Sequence, residues 1–178
     1  GELRALDVAA LPELAAEIAD LEREVEQLRE TLYSALSPWD RVQVSRHPER
    51  PKTDDYVSAL FTDIVELRGD RAYGDDEAIF AALATLDSRR VVVIGHRKGR
   101  NTKENVARNF GSPHPEGFRK ARRAMLLAAK FGLPLVTFLD TAGAYPGLED
   151  EERGQAWAIA ECLATLSDLP VPVVVVGI

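Results

Sequence analysis

The stretch of sequence that decides the fold is Leu135-Val136-Thr137-Phe138-Leu139-Asp140-Thr141-Ala142-Gly143-Ala144-Tyr145-Pro146-Gly147. Its first five residues are apolar or β-branched, which is typical of a buried strand. Asp140 ends that strand, and two glycines and a proline then bend the chain. The acidic run at residues 149–152 favours the start of a helix. These signals predict a parallel strand, a tight loop and a helix, with a ligand bound at the carboxyl end of the strand.

The loop at residues 140–147 suits binding through the backbone. Its glycines and small alanines let amide groups approach a ligand closely, and such amides stabilise an oxyanion without any titratable side chain. The alternative is a turn in which glycine and proline serve only the bend and Asp140 caps the next segment. The spacing alone leaves both readings open.

The composition is typical of a packed protein of ordinary size. The 178 residues, 46% hydrophobic and 29% charged, suffice for one domain and an appendage. The net charge of -7 argues against general nucleic-acid binding, and no apolar run approaches the roughly 20 residues that span a membrane. The single Cys162 excludes an intramolecular disulfide, and with three histidines a zinc site is not expected. Since no basic and apolar leader is recognised, a cytoplasmic location is predicted.

A heptad pattern predicts the first helix. Apolar residues recur at alternating spacings of three and four, at Leu11, Leu14, Ile18, Leu21, Val25, Leu28 and Leu32. Such a narrow seam suits packing against another helix, from this chain or a partner. An amphipathic helix lying on its own domain is the alternative. Pro38 is expected to end this helix, residues 39–46 to form a short second helix, and residues 47–51 to form a linker.

A third helix is predicted after the linker. Thr53 has the character of an N-cap, and Gly69 is a natural C-terminal stop. One apolar stripe would consist of Tyr56, Leu60, Phe61, Ile64 and Leu67. The sequence therefore predicts a helical, coiled-coil-like extension at residues 1–69 and a main α/β domain at residues 70–178.

The main domain is predicted to have the order β-β-α-β-α-β. Its elements are strands at 78–86 and 90–95, a helix at 115–130, the strand described above, a helix at 148–167 and a strand at 171–176. The first two strands are expected to pair as a hairpin. No G-x-G-x-x-G follows the first strand, which argues against a plain dinucleotide-binding start.

Helical periodicity assigns faces to the two long helices. The first is expected to bury Phe118, Met125, Leu126 and Ala129, and to turn outward Arg119, Lys120, Arg122 and Arg123. The second is expected to bury Ala156, Ile159, Ala160, Leu163 and Leu166. Cys162 belongs to a core face and is expected to pack rather than to react.

The turn after the hairpin is strongly basic. In Gly95-His96-Arg97-Lys98-Gly99-Arg100, three cations lie close to two glycines, which suits an anionic or phosphate-bearing ligand. A solvated loop is the alternative. The same two readings apply to Arg119 and Lys120. No histidine has an acid or nucleophile at a diagnostic spacing, so none is assigned as a catalytic base.

Several longer motifs follow one another along the chain: Arg46-His47-Pro48-Glu49-Arg50-Pro51, Asp55-Tyr56, Gly69-Asp70-Arg71, Gly95-His96-Arg97-Lys98-Gly99, Arg108-Asn109-Phe110-Gly111, Pro115-Glu116-Gly117-Phe118-Arg119-Lys120-Ala121, Phe138–Gly147 and Glu151-Glu152-Arg153-Gly154-Gln155. From about Trp39 onward the chain resembles the carboxyltransferase alpha-subunit family of bacterial multi-subunit acetyl-CoA carboxylase. The heptad helix resembles the amino-terminal extension of that family more loosely.

The resemblance implies a crotonase-like fold of ββα units and an α2β2 assembly with a beta subunit that carries the zinc. It implies transfer of a carboxyl group from carboxybiotin, on biotin carboxyl carrier protein, to acetyl-CoA. The product would be malonyl-CoA for fatty-acid biosynthesis. Biotin would not be attached to this chain, and no membrane or nucleic acid is an expected partner.

The resemblance also implies roles for particular residues. The biotin-binding residues would be Thr141, Gly143, Ala144, Tyr145, Pro146 and Gly147, with the backbone of Gly143 and Ala144 as the catalytic groups. Coenzyme A or another anion would bind among Arg97, Lys98, Arg100, Arg119 and Lys120. In this chain Ala142 stands where relatives often carry proline.

The family's glycine-rich oxyanion-hole loop is expected directly after the last strand, beyond Ile178. This polypeptide alone is therefore expected to be inactive. Two alternatives stay open: another crotonase-fold acyl-CoA carboxyltransferase or decarboxylase, and a non-catalytic assembly module.

Overall fold

The computed structural model describes residues 12–178, with side chains from Leu14 onward. The chain divides into two compact units, residues 1–50 and 51–178. In the described part of the first unit, helix α1 spans Pro12–Ser34 and helix α2 spans Pro38–Ser45. Both helices were predicted, although Leu11 of the heptad pattern lies outside the described residues. No helix among the described residues has the length and apolar character needed to cross a membrane.

Helix α2 has a capped start, and helix α1 has an exposed heptad seam in its second half. Pro38 is the first residue of α2, and Ser37 caps it: the Asp40 amide donates to Ser37 Oγ at 3.2 Å, and the Ser37 amide donates to Asp40 Oδ2 at 3.0 Å. In α1, the second half of the heptad seam is exposed at Leu21, Val25, Leu28 and Leu32. Both readings of the seam stay predictions.

The second unit is a five-stranded sheet with helices. Its elements are α3 (Thr53–Leu60), β1 (Phe61–Glu66), β2 (Ile79–Leu86), β3 (Arg89–His96), α4 (Thr102–Ala107), a 3₁₀ turn (Asn109–Gly111), α5 (Pro115–Phe131), β4 (Leu135–Leu139), α6 (Leu148–Glu152), α7 (Gln155–Ser167) and β5 (Val173–Gly177). The strands lie in the order β1-β2-β3-β4-β5. The pairs β1–β2 and β2–β3 are antiparallel, and β3–β4 and β4–β5 are parallel. The predicted hairpin and parallel strand are confirmed.

The sheet separates two hydrophobic cores, because side chains alternate between its faces. On one face, Phe80, Val93 and Phe138 pack with Val57 of α3. On the other, Val92 and Leu135 pack with the α5 residues Ala121, Ala124, Met125 and Ala128. Pro115 opens α5, and Gly132 closes it in a left-handed conformation with φ of 63°. The central strands are therefore held on both faces.

The predicted helix over residues 53–67 is wrong in its second half. Helix α3 ends at Leu60, and β1 begins at once and pairs with β2, with Phe61 opposite Leu86. The β-branched residues of this segment favour the extended form once a partner strand is available. Thr53 is also not the N-cap: it is the first residue of α3, its side chain is buried, and its hydroxyl donates to His96 O.

The boundary between the compact units lies between residues 50 and 51, earlier than the boundary predicted after residue 69. The reason is the pairing of β1 with β2, which makes residues 61–66 an edge of the sheet. Of the described residues, 12–50 form the helical unit.

The predicted helix at 148–167 is two helices. Gly154 is left-handed, with φ of 82°, and separates α6 from α7. Helix α7 buries Gln155, Ala158 and Cys162, so the predicted buried face is wrong at its exposed members Ala156, Ala160 and Leu163. The apolar periodicity of this segment was ambiguous because α7 itself carries apolar residues on all sides of the helix. Trp157 on α7 and Val174 and Val175 on β5 are exposed as well.

The prediction for α5 failed at two positions. Leu126 is exposed rather than buried. Lys120 is buried rather than outward, with an exposed fraction of 2%. Its ammonium lies 2.6 Å from Asp75 Oδ1 and 2.6 Å from the Asp76 carbonyl oxygen. These oxygens, which belong to the loop before β2, compensate the burial of the charge.

Candidate functional site

Three segments meet at the carboxyl ends of β3 and β4. These strands are parallel neighbours, so the loops that follow them lie at one edge of the sheet. Lys98 Nζ, after β3, lies 2.5 Å from Asp140 Oδ1, after β4. The Thr141 hydroxyl donates to the Gly111 carbonyl oxygen at 2.6 Å. The basic loop, the 3₁₀ turn and the 140–147 loop therefore form one local structure.

The 3₁₀ turn holds consecutive residues in left-handed conformations. The φ angles are 48° at Asn109, 54° at Phe110 and 80° at Gly111. A Cβ atom at Gly111 would lie 2.7 Å from Lys98 Cγ, so only glycine fits there. Left-handed non-glycine residues are uncommon, and they concentrate at functional sites. The side chain of Phe110, in the middle of this turn, is exposed.

The two amides predicted to be catalytic differ in their bonding. The Gly143 amide donates to Thr141 Oγ1 at 3.0 Å, so it is used within the turn. Gly143 has φ of 140°, which suits glycine alone. The Ala144 amide has no hydrogen-bond acceptor among residues 12–178. Of the two predicted donors, the structure therefore leaves Ala144 available to a ligand and assigns Gly143 to the turn.

Tyr145 is fixed by its backbone and its ring. Its amide donates to the Pro113 carbonyl oxygen at 3.0 Å. Its ring centroid lies 4.7 Å from that of His114, and 40% of the residue stays exposed. A Cβ atom at Gly147 would collide with Asp150 Oδ2 and would lie 3.0 Å from the Tyr145 ring. The predicted residues from 141 to 147 thus form one turn, which Gly147 joins to α6.

The predicted anion-binding cations after β3 are engaged within the chain. Arg97 contacts Asp54 at 2.7 Å and Glu66 at 2.8 Å, and its guanidinium lies 4.6 Å from the centre of the Phe80 ring. Burial lowers the pKa of Arg97, but the two carboxylates outweigh it and raise the pKa. Arg100 pairs with Asp55 while its side chain stays 59% exposed. Arg100 is the most accessible cation of this loop.

The predicted cations of α5 are engaged as well. Arg119 lies 2.7 Å from Asp70 Oδ2 and 2.9 Å from Glu116 Oε1. Lys120 is buried against the loop before β2, as described above. The structure does not bring these two cations together with Arg97, Lys98 and Arg100 by any contact among the described residues. They stabilise the start of α5 on neighbouring loops.

A network of ionisable side chains lies beside Tyr145. His114 Nδ1 lies 2.5 Å from Asp150 Oδ1. Arg153 contacts Glu116 at 2.9 Å and Asp150 at 2.8 Å. Ligand atoms of His114, Glu116 and Asp150 lie within 4.8 Å of one another, as in a metal site. Because the Arg153 guanidinium contacts both carboxylates, the arrangement fits a structural ion network.

Two further buried groups near the site have shifted pKa values. Burial lowers the pKa of His96, whose Nδ1 lies 3.4 Å from the Phe138 carbonyl oxygen. Burial raises the pKa of Asp76, whose carboxylate accepts hydrogen bonds from the amides of Ala78 and His114. Each group contacts a backbone atom of a neighbouring segment.

Sequence reasoning missed the residues that support the loop, namely His114, Asp150 and Gln155. Their partners lie far along the chain: His114 and Asp150 are 36 residues apart, and Gln155 contacts Pro113 across 42 residues. No spacing rule connects such pairs. The only available signal was the motif that contains Gln155.

Solved structures share the fold of most of this chain. Transcarboxylase 12S matches with a TM-score of 0.59 and 22% identity, over 71% of this chain and 23% of its own. A single-chain, multi-domain long-chain acyl-CoA carboxylase matches with a TM-score of 0.60 and 19% identity, over 75% of this chain and 12% of its own. The fold is that of the crotonase-like carboxyltransferases, as predicted.

Sequence comparison gives the family. A family model described as acetyl co-enzyme A carboxylase carboxyltransferase-like matches residues 1–178. The alpha subunit of acetyl-CoA carboxylase carboxyl transferase from Thermus thermophilus is 54% identical over 98% of this chain and 56% of its own. That from Geobacter metallireducens is 55% identical over 92% of this chain and 52% of its own. The chain belongs to the acetyl-CoA carboxylase carboxyltransferase family, and it spans about half the length of these relatives.

Proposed function

We propose that this chain is part of the alpha subunit of acetyl-CoA carboxylase carboxyltransferase. The subunit would transfer the carboxyl group from carboxybiotin, on biotin carboxyl carrier protein, to acetyl-CoA, and the malonyl-CoA would serve fatty-acid biosynthesis. The observation that carries the proposal is the family match over the whole of residues 1–178. Identities of 54% and 55% with two named alpha subunits support it.

The 140–147 loop is proposed to bind biotin. No side chain of this chain is assigned as a catalytic base, because biotin, when bound, would supply the acceptor for the proton of the acetyl methyl group. The loop supplies a hydrogen-bond donor instead. The free amide of Ala144 suits an oxygen that carries negative charge, and the half-exposed Tyr145 ring offers an apolar surface beside it.

Coenzyme A binding is proposed only where a cation is accessible. Arg100 has a side chain 59% exposed and pairs with a single carboxylate, that of Asp55. It can therefore exchange that partner for a phosphate at modest cost, because exposed ion pairs are weak. Lys120 cannot do so, because its buried ammonium would leave Asp75 unpaired.

The proposed partners are a beta subunit that carries the zinc, in an α2β2 assembly, and the biotin carrier protein. The naming of the relatives as alpha subunits supports an assembly with a second kind of subunit. A cytoplasmic location is proposed with the same function.

The test uses the complete alpha subunit assembled with its beta subunit and supplied with carboxylated carrier. We expect malonyl-CoA from acetyl-CoA, and slower carboxylation of longer acyl-CoA thioesters. The matched control uses carrier protein whose biotin is not carboxylated. Faster turnover of a longer acyl-CoA would instead favour an acyl-CoA carboxyltransferase of another specificity. Partner binding without turnover of any thioester would favour an assembly module.

A further inference from the structure

Gln155, the first residue of α7, connects the 140–147 loop, through Tyr145, with the segment that contains Pro113. Its residue surface is 3% exposed. Its Nε2 donates to the Pro113 carbonyl oxygen at 3.0 Å and to the Tyr145 carbonyl oxygen at 3.3 Å. The Tyr145 amide donates to the same Pro113 oxygen at 3.0 Å. The backbone of Tyr145 is therefore held through both its amide and its carbonyl group.

The other end of the Gln155 carboxamide has no partner. Its Oε1 is buried, and no described residue donates a hydrogen bond to it. An unsatisfied buried acceptor costs about 1–3 kcal/mol. An apolar side chain of similar length would avoid that cost but would leave the Tyr145 carbonyl group without its donor. The amide hydrogens are thus the part of Gln155 that the fold uses.

Hydrogen bonds of the residues before and after Ala144 hold the backbone on both sides of its free amide. Before it, the Gly143 amide is bound to Thr141, whose hydroxyl is anchored on Gly111. After it, the Tyr145 backbone is bound to Pro113 and Gln155. An oxyanion donor works best when its direction is set before the charge develops. Gln155 supplies one of the two anchors.

We propose that Gln155 is a positioning residue for carboxyl transfer: it holds Tyr145 and thereby aims the Ala144 amide. The inference rests on the proposed role of the 140–147 loop. Gln155 is too deeply buried to contact biotin or acetyl-CoA itself. It acts through the backbone of the loop, so its loss should affect turnover more than the binding of acetyl-CoA.

The test is Gln155→Met in the complete alpha–beta complex. Methionine keeps the length of the side chain and removes both donors. We expect kcat to fall by about 10- to 100-fold, the range that a small misplacement of a catalytic group produces, with an unchanged KM for acetyl-CoA. Hydrogen exchange at the Tyr145 amide should become faster. Gln155→Asn keeps both donors on a shorter side chain and should lie between wild type and Gln155→Met.

The matched control is Cys162→Ala on the same helix. Cys162 is buried, and its thiol contacts the Phe118 carbonyl oxygen at 3.0 Å, so this change also disturbs the packing of α7 but does not touch the loop. It should lower thermal stability and leave kcat unchanged at a temperature where all variants are folded. An equal loss of kcat in Cys162→Ala and Gln155→Met would overturn the inference.

Two other outcomes separate the inference from the proposed function. If Gln155→Met loses activity while exchange at Tyr145 stays slow, Gln155 does not hold the loop, and the inference fails while the proposed function stands. If exchange accelerates but kcat is unchanged, the loop does not take part in turnover. That result overturns both the inference and the assignment of the loop to biotin.

Discussion

The proposed ligand contacts of the 140–147 loop are made by main-chain atoms. Individual residues determine which of these atoms lack a hydrogen-bond partner within the described chain. Thr141 accepts a hydrogen bond from the Gly143 amide, and Tyr145 donates to Pro113. The Ala144 amide lies between them without an acceptor among residues 12–178. The sequence predicted a backbone-lined loop from its glycines and alanines. It could not predict which amide is used inside the turn, because that depends on the rotamer of Thr141 and on contacts across 30 residues.

Gly143 offers a direct test of the loop's conformation. Gly143→Ala adds a methyl group where no atom lies within 4 Å, so its effect comes from the φ of 140° alone. Forcing an L-residue into this region costs on the order of 1–3 kcal/mol and should shift the Ala144 amide. We expect kcat of the complete complex to fall about 10-fold or more.

The control for this change is Gly132→Ala, at the end of α5. Gly132 also has positive φ, 63°, and an added methyl group would again find no atom within 4 Å. Its substitution should cost similar stability and leave kcat unchanged. Equal kinetic effects of the two alanines would contradict a special role for the loop.

Cys162 illustrates how burial suppresses a reactive side chain. Burial raises the pKa of its thiol to about 11. Each unit of pKa changes the thiolate fraction about tenfold, so alkylation by iodoacetamide at pH 8 should be roughly 100-fold slower in the folded chain than after denaturation. Mass spectrometry of the labelled protein measures this. Rapid labelling of the native chain would show that α7 opens readily.

At the scale of helices and strands, the sequence failed mainly to predict which charged side chains are engaged inside the fold. The sequence placed Arg119 and Lys120 on an outward face because charged residues on a helix are usually solvated. In the structure both meet carboxylates of the loop between β1 and β2: Arg119 meets Asp70, and Lys120 meets Asp75. Those partners lie 49 and 45 residues away, respectively. The strands of the hairpin were identified by their apolar runs, and the ends of α5 by Pro115 and Gly132, because those signals are local.

Asp70 should contribute stability that depends on pH. Burial of its carboxyl group favours the neutral form, but hydrogen bonds from the amides of Ala72, Tyr73 and Gly74 and from Arg119 lower its pKa from 3.8 to about 2. The folded chain therefore binds the proton less readily than the unfolded chain. The stabilisation, about 2 kcal/mol at most, is present above about pH 4 and is lost as the pH falls toward 2.

Urea unfolding of wild type and Asp70→Asn should show this dependence. The asparagine variant should be less stable by about 2 kcal/mol at pH 7, and the difference should shrink as the pH falls from 4 toward 2. The exposed Asp63, which has a positive φ that asparagine tolerates, provides the control Asp63→Asn. A difference independent of pH would mean that the shape of Asp70, rather than its charge, matters.

For the molecule as a whole, the division into two units gives a prediction for limited proteolysis. The segment between α2 and α3 is irregular, and Arg46 is exposed in it. Among the described residues, trypsin should cut after Arg46, because this residue is exposed and follows α2, whereas Arg50 precedes a proline. Mass spectrometry should find a stable fragment that begins at His47. In Arg46→Gln this cut should disappear, and the absence of the His47 fragment from the wild-type digest would contradict the division.

The last strand of the sheet has a consequence for solubility. β5 pairs with β4 on one side, and no described strand covers its other side. It consists of four valines and a glycine, without charge or proline, and Val174 and Val175 are exposed. Uncovered apolar edges of this kind recruit further strands and begin amyloid-like assembly. Whenever β5 is uncovered, even briefly on the ribosome, the chain should depend on chaperones to remain monomeric.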